Sequence, residues 1–266
     1  MDKTKIYEKY KKEEDRLLIS KLIDKISSLE KTNKIQITDF VSPVELQILK
    51  EALNMINYKN YQISGGIKEA QRNIIILFPQ KLEELFENNV FDYNSIFDCI
   101  RVTNNQETYE HKVYLGGIIK LGVKREKIGD IITYENGADI IVSKDVSKFL
   151  ITNLTELTRF QKSKVEIINL NQITKKEQEY KEEKIIVSSI RLDNIISELA
   201  KTSRSKALDI IKQERVFINY KNETKPTKTI QLNDIITIRG IGKFIVIDLN
   251  EHTRSGKNII LLNKFV

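Results

Sequence analysis

Residues 191–219 run Arg191-Leu192-Asp193-Asn194-Ile195-Ile196-Ser197-Glu198-Leu199-Ala200-Lys201-Thr202-Ser203-Arg204-Ser205-Lys206-Ala207-Leu208-Asp209-Ile210-Ile211-Lys212-Gln213-Glu214-Arg215-Val216-Phe217-Ile218-Asn219. Leu192, Ile195, Ile196 and Leu199 fall on one face of a helix. Thr202 or Ser203 can cap a second helix, whose Ala207, Ile210 and Ile211 face the same core. Strands are predicted at 216–219, 234–239 and 244–247. Arg204, Ser205 and Lys206 then occupy the first turn of the second helix, where the macrodipole disfavours cations. Basic side chains beside free backbone N–H groups suit a bound phosphate. Arg191, Lys225, Arg239 and Lys243 are expected to extend this basic surface, with Ser203 and Asn219 completing the set. Ile238-Arg239-Gly240-Ile241-Gly242 reads as a turn between strands.

Upstream, residues 171–184 carry almost no apolar side chains and read as a solvated linker, with 173–184 set as its bounds. Before it, residues 96–170 give the order βαββαβ: strand 96–102, helix 113–122, a hairpin of 130–134 and 138–142 around Asn136-Gly137, helix 143–157 and strand 164–170. That order predicts a ferredoxin-like, RRM-like sandwich. The predicted strands hold Phe97 and Tyr134 but no aromatic signature for stacking bases. Tyr7, Tyr10, Tyr58, Tyr61, Tyr93 and Tyr109 lie outside the last module. The first 80 residues predict a helix over 5–30, a helix from Pro43 to about residue 56 capped by Ser42, and strands at 61–63 and 73–78. The expected class is α+β: an N-terminal α/β unit (1–80), an RRM-like middle domain (81–172), the linker, and a small C-terminal domain (185–266).

The chain of 266 residues has a net charge of +7 and a pI near 9.1, which attracts polyanions. No run of about 18 apolar residues suggests a membrane span, and the charged start does not resemble a secretory signal. One cysteine, Cys99, fits a reducing cytoplasm and reads as a small buried apolar residue. Two histidines, His111 and His252, give zinc too few ligands; His111 reads as a solvated residue at a helix start.

Arg191-Leu192-Asp193, Ser203-Arg204-Ser205-Lys206-Ala207, Val216-Phe217-Ile218-Asn219, Lys225-Pro226 and Asn233-Asp234 together resemble the S4 (alpha-L) RNA-binding domain. That family usually has glycine where this chain has Glu214, Tyr220 and Asn233. Across the rest of the chain, Thr38-Asp39-Phe40 with Pro43, Gly65-Gly66 followed by Ala70 and Arg72, Leu115-Gly116-Gly117, and Leu121-Gly122-Val123-Lys124-Arg125-Glu126-Lys127-Ile128-Gly129-Asp130-Ile131 resemble the YlmH family. The family's His-Arg-Asp reads His111-Lys112-Val113 here, and its Ala-Glu-Arg reads Ala70-Gln71-Arg72. The resemblance implies a non-enzymatic factor with no cofactor, which binds ribosomal RNA and tRNA on the large ribosomal subunit in the quality control of stalled nascent chains. Other quality-control factors are then expected partners. It also adds Lys124, Arg125 and Lys127 to the RNA-binding residues, although the same cations suit a solvated helix C-terminus.

Alpha-L domains also occur in RNA-modifying enzymes, so a pseudouridine synthase or methyltransferase is the alternative. Arg191-Leu192-Asp193 mimics the tripeptide holding the synthases' catalytic aspartate, but it opens the RNA-binding module itself and leaves no room downstream for a catalytic domain. Asp193 reads instead as a helix-start carboxylate. A third idea is a cell-division adaptor acting through protein contacts.

Overall fold

The computed structural model describes residues 8–104, 107–174 and 180–265. Residues 5–7 of the first expected helix, Tyr7 included, and 175–179 of the expected linker lie outside the described residues. The chain forms two compact units, Met1–Lys176 and Glu177–Val266, and both mix helices with antiparallel sheets, as the α+β class requires.

In the first unit, α1 (Glu13–Thr32) and α2 (Pro43–Met55) pack on a three-stranded sheet of order β1 (Gln36–Ile37), β3 (Ile74–Leu77), β2 (Tyr61–Ser64). Ser42 caps α2 as expected, and the structure adds a full capping box: the Ser42 hydroxyl accepts from Glu45 N, and Ser42 N donates to Glu45 Oε2 at 2.6 Å. Helix α1 starts later than residue 5 implied. Tyr10 instead turns its ring into the core and donates its hydroxyl to Glu51 Oε2 at 3.2 Å.

A short helix α3 (Glu83–Glu87) leads into the expected βαββαβ order: β4 (Phe97–Thr103), α4 (His111–Lys120), β5 (Ile128–Tyr134), β6 (Gly137–Ser143), α5 (Lys144–Asn153) and β7 (Lys164–Ile168). The sheet order β5-β6-β4-β7, antiparallel throughout, is that of a ferredoxin-like sandwich. The hairpin turns at Glu135-Asn136 instead of Asn136-Gly137; Gly137 already belongs to β6.

The strands explain why this unit has one fold and not two independent ones. Side chains alternate across a strand, so Ile75 and Leu77 join α1 and α2 while Ile74 and Ile76 face the other way. In the middle sheet, Ile100, Val102, Ile140 and Val142 pack on α4 and α5, leaving Phe97, Cys99 and Ile141 on the opposite face. Those two outward faces meet in one core of Ile74, Ile76, Phe78, Phe40, Phe97, Cys99 and Ile141. The expected boundary near residue 80 therefore runs beside a shared core.

In the second unit, α6 (Leu192–Leu199) and α7 (Arg204–Lys212) cover one face of a six-stranded sheet. Its order is β10 (Lys221–Asn222), β9 (Val216–Ile218), β11 (Ile235–Ile238), β12 (Gly242–His252), β13 (Asn258–Phe265), β8 (Tyr180–Val187). Two features correct the sequence reading. The linker bounds 173–184 were too wide at both ends: Ile173 is buried in the first unit's core, and residues 180–184 form most of an edge strand. Strand β12 also extends well past residue 247 and pairs with β13.

Candidate functional site

The first turn of α7 is where the sequence placed its cations, and its local structure follows from the residues around it. Just past the end of α6, Lys201 has a φ of 47°, in the left-handed region. Lys201 N donates to Glu198 O and Thr202 N to Ser197 O, which closes the helix end and turns the chain sharply. Ser203, not Thr202, then caps α7, its hydroxyl accepting from Lys206 N at 3.3 Å. Arg204, Ser205 and Lys206 are exposed behind that cap, while Ala207 and Ile211 anchor the helix in the core.

Asp193, the residue read as a simple helix-start carboxylate, turns out to organise the site. It is 1% exposed. Arg191 donates Nε and Nη2 to its two oxygens at 3.1 and 3.0 Å, and Arg204 donates Nε and Nη2 to Oδ2 at 2.9 and 2.6 Å. Asn194 N adds a further bond. Burial by itself would raise this carboxyl, but the hydrogen bonds from Arg204 and Arg191 outweigh it and hold the group below the usual carboxylate range. A buried anion thus fixes two guanidiniums from two helices, yet the Arg191 and Arg204 side chains stay 38% and 56% exposed. Each retains N–H donors for a ligand. Pro226 O and Lys228 O accept from Asp193 N and Leu192 N at 3.0 and 2.9 Å, which brings the exposed Lys225 and Lys228 alongside. Sequence reasoning missed Lys228 and the role of Asp193. The signal was present in the Arg-x-Asp spacing, but the third member, Arg204, is reached only through the fold.

Other expected site residues lie elsewhere. Asn219 Nδ2 donates to Asp234 Oδ1 at 2.7 Å and its Oδ1 accepts from Ile235 N at 2.9 Å, so its amide pins a turn and is not offered to a ligand. Arg239 and Lys243 sit on the sheet face opposite the helices, since Ile238 and Phe244 beside them point into the helix-covered core. They do not extend the α7 surface. Glu214, Tyr220 and Asn233, the positions where the resembled family has glycine, all adopt left-handed φ of 56°, 66° and 66°. The turns therefore form despite the side chains.

The loop 124–127 also departs from expectation. Arg125 donates to Ile128 O at 2.6 Å, and burial together with Arg72 pushes its pKa down to about 10. Lys127 bridges Asp39 and Asp145, both at 2.9 Å. Arg72 donates Nε to Ile128 O at 2.9 Å and Nη2 to Phe40 O at 2.8 Å, while Gln71 N and Arg72 N donate to Asp130. The motif pieces around residues 38–40, 65–72 and 124–131 are one joint. A Cβ on Gly65 would meet Ala70 Cβ at 2.3 Å, and one on Gly129 would meet the Phe40 ring at 2.8 Å, so both glycines serve close approach within it. Of the three expected cations, Lys124 is the exposed one. Nor is the middle sheet a base-stacking platform. Its outward face is filled by the shared core and by the Arg101–Asp139 pair, in which Asp139 is fully buried. Cys99 lies in the same layer, where burial raises its thiol to about 12 and leaves it unreactive at neutral pH.

The family described as "Putative RNA-binding domain in YlmH" matches residues 88–174. Over 257 residues, 95% of this chain and 95% of the relative, the sequence is 28% identical to the ribosome-associated protein quality control protein P2 of Bacillus subtilis (strain 168). Among solved structures, cell division protein ylmH from Streptococcus pneumoniae aligns at 16% identity with a TM-score of 0.47, covering 62% of this chain and 98% of that one. The resemblance to the YlmH family that the motifs carry thus holds in the matched middle domain, and the likeness to a ribosome-associated protein extends along nearly the whole sequence.

Proposed function

We propose that this chain is a non-catalytic RNA-binding factor that docks on ribosomal RNA and tRNA of the large ribosomal subunit, in the cytoplasm, during quality control of stalled nascent chains. The observation that carries the reading is the Arg191–Asp193–Arg204 arrangement at the start of α7. Two guanidiniums held rigidly beside an exposed, capped helix start match a phosphate backbone in charge and geometry. Lys206, Lys225 and Lys228 enlarge that surface. The name of the B. subtilis relative supports the ribosomal setting, and the matched middle domain supports RNA as the ligand. Among the described residues, no helix is long and apolar enough to cross a membrane.

Cosedimentation of the full chain with large ribosomal subunits across a salt series tests the reading. The Arg204→Ala/Lys206→Ala variant should bind more weakly, with a salt slope lower by about one unit per lost phosphate contact. Unchanged binding and slope would sink the proposal.

A further inference from the structure

The second unit has a sheet face that its helices do not cover. Val216, Ile218, Ile236, Ile238, Phe244 and Val246 point to the helices, so the side chains between them point away. Reading the register across that outer face gives a single row: Tyr180 opposite Phe265, Lys243 opposite Thr237, Thr237 opposite Phe217, and Phe217 opposite Asn222. Phe265 and Lys243 close the gap in the row, with the ammonium 4.4 Å from the ring centre. The row crosses all six strands.

Rings and cations sit side by side on this face. Lys243 also lies 4.9 Å from the Tyr220 ring and 2.9 Å from its hydroxyl. The Arg239 guanidinium lies 4.7 Å over Phe217. Tyr180, edge-on to Phe265 at 5.1 Å, is 44% exposed. Aromatic faces at strand spacing with cations between them offer bases a stack and phosphates a counter-charge. A duplex hides its bases and cannot use such rings, whereas an unpaired strand can.

We propose that this outer face binds an unpaired RNA segment, with Tyr180, Tyr220 and Phe265 stacking bases and Arg239 and Lys243 holding phosphates. The site is separate from the α7 surface and can fail independently of it.

The test measures fluorescence anisotropy of the full chain with two labelled probes: a single-stranded RNA of about ten nucleotides and a fully paired hairpin closed by a linker without bases. Tyr180→Leu/Tyr220→Leu should weaken single-strand binding about tenfold and change hairpin binding less than twofold. Arg204→Ala/Lys206→Ala should do the reverse. If the double variant does not melt cooperatively, Tyr180→Ser, at the sheet edge, replaces it with an expected loss of about threefold. Unchanged single-strand affinity, or equal loss on both probes, would overturn the proposal. So would a protein that survives nuclease treatment and leaves with the ring variant while single-strand affinity stays constant.

Discussion

A carboxylate with a guanidinium on either side makes Asp193 the most consequential single residue of the second unit. Replacing Asp193 with Asn removes the charge from a buried position and leaves two arginines without their anion. The expected loss is about 2 kcal/mol, from charge-assisted hydrogen bonds, read by urea unfolding. The pH dependence has a definite sign. Because the folded carboxyl titrates below its unfolded value, its contribution is complete above about pH 4 and is lost as pH falls through the lower folded value. The stability gap between the parent chain and Asp193→Asn should therefore be constant from neutral pH down to that point and close below it. At the end of α7, Glu214 sits at φ 56°, with Glu214 N donating to Ile211 O and Arg215 N to Ile210 O. A side chain there strains a position that glycine occupies freely, so Glu214→Gly should raise stability by roughly 0.5–1 kcal/mol, seen as a higher melting temperature. The helix caps were legible at this scale because Ser42 before Pro43, and Thr202-Ser203 before Arg204, are local signals. Asp193 was not, because one of its partners lies 11 positions away.

Elements fixed by local pattern were read correctly, and those fixed by their neighbours were not. The βαββαβ order could be read because each piece keeps its own periodicity. Strand β8 could not: Tyr180-Lys181-Glu182-Glu183-Lys184 looks like a linker because an edge strand has only one neighbour and carries charge at its free side. Its pairing with β13 spans the chain's last residues, which no local window joins. The loop 124–127 shows the same limit: three cations in four residues read equally as a phosphate contact or a solvated helix C-terminus, and the folded joint they form depends on distant partners. The joint assignment makes two predictions. Arg72→Ala removes the bonds to Phe40 O and Ile128 O and should cost about 2–3 kcal/mol. Lys127→Ala should cost under about 1 kcal/mol, because its ion pairs with Asp39 and Asp145 are partly solvated. Both are checked by thermal melts, and RNA affinity measured below the transition should stay within about twofold of the parent.

At the level of the molecule, the expected division near residue 80 rested on a change in pattern that sequence can show, while the core it cuts beside is visible only in three dimensions. Each strand of that layer looks satisfied by its own helices, and only the second face of β3 and of the middle sheet reveals the joint. A fragment ending at residue 80 should accordingly show no cooperative melt, whereas one ending at 176 should melt in a single transition; differential scanning calorimetry distinguishes them. The same shared core has a consequence in time. Phe40, Ile74, Ile76 and Phe78 are synthesised before their partners Phe97, Cys99 and Ile141. At roughly 5–20 residues per second, that interval is on the order of several seconds. During synthesis this chain therefore carries an unfinished apolar surface that only its own later residues can cover, and slow decoding between Phe78 and Ile141 should lower its soluble yield more than the same delay placed after residue 180.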